Sequence, residues 1–348
     1  MGRNTHFLLP VIQYFRVIKM KLEIYGTLGP SCCTTEIIED LLRSGMTGMR
    51  LNLSHCDLEE KKDWIQAFHQ ACNHLKIKAD LMIDMRGPEL RTLNSMPLYF
   101  EKDSLITFEP DTLPMPIFEH AEVNDILLMD DGKIQMQILE VSDYKLHCIV
   151  RFGTELKTRK SVMIQGKQIS GPLFTESDLK NLKNAKTYGV TSIMQPFVSS
   201  KEDLLNIKET LHSLELNELK LYAKIENMTG VEHIEEMMHH CDCLVIARGD
   251  LGNACGLIQL PRIQKQIEQL CHLHHQKYMV VTEMLNSMIY HPVPTRAEVS
   301  DVYHAIYHGA GAIMLTAETA SGQYPKEAMH IFTEVAKTAL KDKENTHD

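Results

Sequence analysis

Eight short apolar runs, most of them separated by amphipathic stretches of helical period, constrain this chain more than any other feature. The runs are Leu22–Thr27, Gly48–Leu53, Ala79–Asp84, Thr191–Gln195, Leu221–Ile225, Cys243–Ala247, Tyr278–Thr282 and Ala312–Thr316. Between them lie helical patterns at Thr35–Ser44, Glu59–Leu75, Glu176–Tyr188, Lys201–Leu214 and Pro261–His274. A last helix is expected over Pro325–Leu340, followed by a charged tail, Lys341–Asp348. Strands that alternate with helices run parallel and are joined by crossovers. Eight such units favour closure, so the fold class expected is α/β, a (β/α)₈ TIM barrel.

One stretch breaks this rhythm. Between Thr92 and Ile169 the apolar period becomes two, over Leu105–Phe108, Ile126–Met129, Lys133–Val141 and Lys145–Phe152, with a hairpin signal at Asp130-Asp131-Gly132. This predicts a small all-β domain inserted after strand 3, overhanging the barrel mouth as a lid. The expected division is an N-terminal extension at 1–20, a catalytic barrel at 21–91 and 170–348, and the inserted β lid at 92–169. The apolar run Phe7–Ile12 is broken by Pro10 and is far shorter than the ~20 residues that span a bilayer. No small-residue cleavage site follows it, so neither a membrane anchor nor a signal peptide is expected, and a start at Met20 stays open.

A formal net charge of −10 argues against a nucleic-acid partner, and no basic run contradicts that. The nine cysteines show no CxxC pair or regular spacing, which points to a reducing, cytoplasmic compartment.

The strand ends carry the chemistry. They supply Thr27; Arg50 with Asn52 and Ser54; Asp84, then Met85 and Arg86; Gln195; Lys224 with Glu226; Arg248 with Asp250; Thr282; and Thr316 with Glu318. In a parallel barrel these ends share one face, where active sites are built. Glu226 and Asp250 are hard oxygen ligands suited to Mg²⁺ or Mn²⁺, with substrate and water completing the shell. Lys224 would lie near phosphate oxygens and offset charge during phosphoryl transfer. Gly249 removes a side chain where backbone amides can approach a substrate carboxylate. Asn52, Ser54 and Asp84 form an oxygen-rich group for a second, monovalent cation.

Other groupings have plainer readings. His239-His240-Cys241-Asp242-Cys243 resembles a metal cluster, but Cys243 falls inside a strand. His272, His274 and His275 end a helix, where solvated imidazoles are usual. Gly309-Ala310-Gly311 precedes a strand and lacks a third glycine, so it is no dinucleotide loop. Cys32-Cys33 reads as a reduced pair in a loop, and the twenty methionines as core filler.

Taken in order, several segments resemble the pyruvate kinase family. They are Thr27–Pro30, Arg50–His55, Asp84–Thr92, Asp130–Gly132, Lys224–Asn227, Ala247–Gly252, Thr282–Leu285, Pro294–Glu298 and Met314–Thr319, running from about Lys21 to Leu340. The resemblance implies phosphoryl transfer from phosphoenolpyruvate to ADP, giving pyruvate and ATP. It further implies Mg²⁺ (or Mn²⁺) on Glu226 and Asp250, with Lys224 steadying the phosphoryl group and Arg50 contacting phosphate. K⁺ would be held by Asn52, Ser54, Asp84 and the carbonyl of Met85, and Glu89 matches the form that goes with a K⁺ requirement. Thr282 would face the pyruvate end, near the relay that protonates the enolate.

The chain departs from the family pattern at several points. Met85-Arg86 replaces Thr-Lys, Asn253–Gly256 replaces Val-Glu-Ile-Pro, Glu283 replaces Gln and Thr316-Ala317 replaces Ser-Gly. Lys160 matches, but Ser161–Gly166 differs from the family's Gly-Val-Asn-Leu-Pro-Gly. The family's C-terminal regulatory domain has no counterpart, so a short form is expected, with a homodimer through the barrel left open. Two other readings stay open: an impaired relative that binds phosphoenolpyruvate without turnover, and a metal-dependent lyase acting on a 2-oxo acid.

Overall fold

A computed structural model of the chain describes residues 22–87, 89–130, 132–167, 169 and 172–346. The expected extension at 1–20 and the start at Met20 lie outside the described residues.

Eight parallel strands close into a barrel. They are β1 Glu23–Thr27, β2 Gly48–Asn52, β3 Asp80–Asp84, β4 Ser192–Gln195, β5 Lys220–Ile225, β6 Cys243–Ala247, β7 Tyr278–Val281 and β8 Ala312–Met314. Each pairs with its sequence neighbours among the eight, and β1 joins β8 to complete the ring. Side chains alternate along a strand, and here the alternation separates two cores. Leu221, Ala223 and Ile225 of β5 face the surrounding helices, while Tyr222 joins Tyr25, Met82, Met194 and Met279 inside. Two residues further along the inward face of β5 stands Lys224. The same alternation puts Arg50 and Asn52 of β2 and Asp84 of β3 at the C-terminal end of the lumen. An apolar-inside pattern thus changes to charge only in the last layer.

The lumen's other end is closed by polar pairs. The Tyr25 hydroxyl donates to Asp80 Oδ2 at 2.9 Å and lies 3.0 Å from the Tyr222 hydroxyl, and Lys277 Nζ meets Glu23 Oε2 at 2.6 Å. Burial pushes both tyrosine hydroxyls well above their ordinary range, so they stay neutral hydrogen-bonding plugs.

The inserted segment has its own core around Phe108, Leu127, Ile134 and Met136, and a five-stranded sheet. Ile126–Met129 pairs antiparallel with Ile134–Ser142, so a hairpin does follow Met129, although Asp131 lies outside the described residues. The segment is not purely β, contrary to expectation, because Met115–His120 is a helix. Pro114 caps this helix and Pro116 lies in its first turn, where proline's missing N–H costs nothing. The insert reaches back over the barrel mouth, since a Cβ on Gly132 would meet Asn253 Oδ1 at 2.5 Å.

Several boundaries need correction, among them the helix expected to reach Tyr188, which runs Glu176–Asn184. Strand β7 stops at Val281 because Thr282 has φ +78°, and β8 stops at Met314 because Thr316 has left extended geometry. Glu59–Leu75 divides into a 3₁₀ turn, Glu59–Lys61, and an α-helix, Lys62–Leu75. The final helix runs Pro325–Thr346, so the expected charged tail is largely helical and is tied down by Tyr303 donating to Asp342 at 3.0 Å. Among the described residues no helix is long and apolar enough to cross a membrane.

Candidate active site

The last lumen layer is an ion-pair network. Lys224 Nζ stands 3.2 Å from Asp84 Oδ1 and 3.2 Å from Glu226 Oε1. Arg50 approaches the other oxygen of Asp84, with Nε 2.8 Å from Oδ2, and its Nη1 donates to Thr27 Oγ1 at 3.3 Å. Asp84 and Glu226 are each 2% exposed, so these charges interact with little help from water. Burial pushes the Asp84 carboxyl upward, but Lys224 and Arg50 outweigh it and hold it below the usual carboxylate range. Burial likewise disfavours a charged Lys224, and here too Asp84 and Glu226 win, raising its pKa. The lysine is therefore a fixed ammonium and not a neutral base.

Above this layer opens a cavity of about 240 Å³. Arg50, Asn52, Ser54, Asp84, Met85, Lys224 and Asp250 line it from the barrel, and Asp130 and Lys160 from the insert, where Lys160 Nζ meets Asp130 Oδ1 at 2.7 Å. A second, more apolar cavity between insert and barrel is lined by Glu226, Asp250 and Phe197. The geometry thus brings together Arg50, Asn52, Ser54, Asp84, Met85, Lys224 and Asp250, with Glu226 bonded to that set through Lys224. Gly249 and Thr282 are not among the residues lining either cavity. They meet each other instead, an added Cβ on Gly249 coming within 3.3 Å of Thr282 Cγ2.

The donor sets fit the expected cations. Asp84 Oδ1 is buried with only the Lys224 ammonium beside it at 3.2 Å, and shares one cavity with Asn52, Ser54 and Met85. Such a set of hard oxygens suits a monovalent ion. Glu226 and Asp250 share a cavity wall, and among the described residues no group of three or more His, Cys, Asp or Glu forms a full metal cage. Two carboxylates with open positions suit Mg²⁺, which keeps waters and takes phosphate oxygens.

Several residues named in the sequence support the site through contacts that the sequence did not reveal. Arg86, taken there as a departure, donates from Nε to the Leu53 carbonyl at 2.7 Å and from Nη2 to Asp57 Oδ1 at 2.9 Å. It ties the segment bearing Asn52 and Ser54 to the one bearing Asp84 and Met85. Glu318 is buried and spent on structure, accepting from the Leu285 and Thr316 amides at 3.0 and 2.8 Å. Gln195 donates to the Leu173 carbonyl at 2.7 Å. Glu89 pairs with Arg91 at 2.6 Å beside the cavity, with burial pushing its carboxyl up against that partner. The partners of Arg86 and Gln195, and Leu285 for Glu318, come from distant segments, so only the fold brings them together; a charged or polar residue beside a strand end was the one available signal.

Residues 19–329 match the pyruvate kinase barrel domain. Pyruvate kinase from Aeropyrum pernix is 34% identical over 325 residues, covering 92% of this chain and 71% of that protein. Pyruvate kinases from Staphylococcus epidermidis and Staphylococcus saprophyticus are 33% and 34% identical, each over 92% of this chain but 57% of the relative. The chain spans little more than half the length of these staphylococcal relatives.

Proposed function

The chain belongs to the pyruvate kinase family, and on that premise we propose that it transfers the phosphoryl group of phosphoenolpyruvate to ADP, yielding pyruvate and ATP. One observation supports this above the rest: Lys224 is fixed as an ammonium between two buried carboxylates at the floor of a charged cavity. Phosphoryl transfer asks little covalent chemistry of a protein and depends on positioned charge. Lys224 offsets the negative charge of the group in flight, and Arg50, anchored on Asp84, directs its guanidinium toward the same phosphate. Glu226 and Asp250 would hold Mg²⁺ or Mn²⁺, which supplies charge neutralisation across the phosphates when bound. Asn52, Ser54, Asp84 and the Met85 carbonyl would hold K⁺. Thr282 belongs to the pyruvate end, and residues 92–169 serve as a lid that excludes water.

The test is pyruvate formation from phosphoenolpyruvate with Mg²⁺, with and without ADP, and with K⁺ or Na⁺. We expect turnover that requires ADP and is stimulated by K⁺. Folded protein that binds phosphoenolpyruvate without releasing pyruvate overturns the proposal in favour of a binding relative. Cleavage of a 2-oxo acid without nucleotide would favour a lyase.

A further inference from the structure

Thr282 and Glu283 have φ of +78° and +55°, a left-handed pair immediately after β7. For a β-branched threonine this conformation is strained and persists only where its surroundings impose it. The surroundings here are specific. Arg248, at the end of β6, donates to the Thr282 carbonyl from Nε at 3.1 Å and from Nη2 at 2.6 Å. Its remaining nitrogen, Nη1, meets Asp301 Oδ2 at 2.6 Å, and Nη2 also touches Met284 Sδ at 3.1 Å. The Arg248 side chain is 13% exposed, and its three nitrogens are all engaged by protein groups of the Thr282 turn and by Asp301. On the far side of the turn, the Leu285 amide is held by Glu318. The missing side chain at Gly249 leaves the space against which the Thr282 side chain rests.

We propose that Arg248, anchored by Asp301, is a positioning residue that holds Thr282 in its left-handed conformation and so sets where its side chain stands for the proton step at the pyruvate end. This rests on the proposed function for its chemical consequence but not for its structural one. A guanidinium brackets one carbonyl with two parallel donors; a lysine offers a point charge and cannot.

Two measurements test it. The first needs no turnover: in a crystal structure of Arg248→Met, Thr282 should leave φ +78° for the negative region and move off Gly249. A variant that keeps the positive φ and the same contact overturns the proposal. The second follows exchange of the pyruvate methyl hydrogens in D₂O by proton NMR. In this step the C–H bond breaks, its electron pair stays on the enolate, and a C–D bond forms with a deuteron from solvent. Arg248→Met should lower exchange by about 10²-fold, the scale of a misplaced proton-transfer group, with KM for pyruvate within about threefold. Arg248→Lys should fall between, and added guanidinium ion should restore part of the loss in Arg248→Ala. Arg248→Met/Thr282→Ala should exchange no more slowly than Thr282→Ala, because the two residues act as one unit. Losses that multiply, or wild-type exchange in Arg248→Met, overturn the proposal. Wild-type protein without turnover or exchange would defeat the proposed function alone, and the position of Thr282 would still decide this inference.

Discussion

Replacing Lys224 with methionine should expose how the site is held together before any substrate is considered. The ammonium faces two carboxylates at 3.2 Å each. At an effective dielectric of about 20, each contact is worth about 5 kcal/mol of attraction, from which several kcal/mol per ion of desolvation must be subtracted. Removing the lysine leaves Asp84 and Glu226 buried with like charge, and breaking a buried pair typically costs about 3–5 kcal/mol. Urea unfolding at pH 7.5 should therefore show a loss of that size in Lys224→Met. The pH dependence carries a definite sign. Asp84 is held below its ordinary range, so its stabilisation is present above the unfolded carboxylate pKa, about 4, and is lost as pH falls through the folded value. Without Lys224 that depression weakens. The gap between wild type and Lys224→Met should then be full from neutrality down to about pH 4 and narrow as pH falls below that, through the folded value of Asp84. At high pH the stabilisation from the raised Lys224 pKa, full below the ordinary lysine value of about 10.4, declines as pH rises above it and is gone once the folded value is passed. A loss under about 1 kcal/mol, or one that does not change with pH, would refute the view that these ion pairs are strongly coupled.

Two further predictions follow from the supports of the site. Arg86→Gln removes the guanidinium that joins the Leu53 carbonyl to Asp57, and the rise in melting temperature on exchanging Na⁺ for K⁺ should shrink or vanish; an unchanged K⁺ response would separate Arg86 from the cation segment. Gly132→Ala strains a φ of +78°, by about 1 kcal/mol, and presses on Asn253 Oδ1, so limited proteolysis should cut the insert faster. Adding Asn253→Ala should recover most of that protection, and failure to do so would refute the contact as the cause.

The barrel was legible because its strands are short apolar runs whose inward and outward residues alternate, and because charge enters only at their ends. Lys224 could be placed from that alternation alone, two residues beyond Tyr222 on the same face. What stayed hidden lay in conformation and long-range pairing. Nothing in Val281-Thr282-Glu283 announces a left-handed pair, since neither residue favours one; the clamp comes from Arg248 and Glu318 on the flanking strand ends. Helix Met115–His120 is only six residues long, too short for its period to show within a segment of period two. Lys341–Asp348 looked like a solvated tail on charge, yet its lysines and glutamate are good helix formers, and Asp342 has a partner in Tyr303. The proposed cation ligands could be read one by one, but Arg86 looked like a departure until its reach to Leu53 and Asp57 was seen.

The central claim is that the charged layer at the barrel mouth moves a phosphoryl group. Phosphorus NMR of a mixture of phosphoenolpyruvate, ADP, Mg²⁺ and K⁺ reads this directly, with Glu226→Gln and Lys224→Met in parallel. The account predicts that the phosphoenolpyruvate signal is replaced by the γ-phosphate of ATP with wild-type protein, and that both variants are slower by about 10²-fold or more. Inorganic phosphate in place of ATP, or ATP formed equally fast by Lys224→Met, would contradict it.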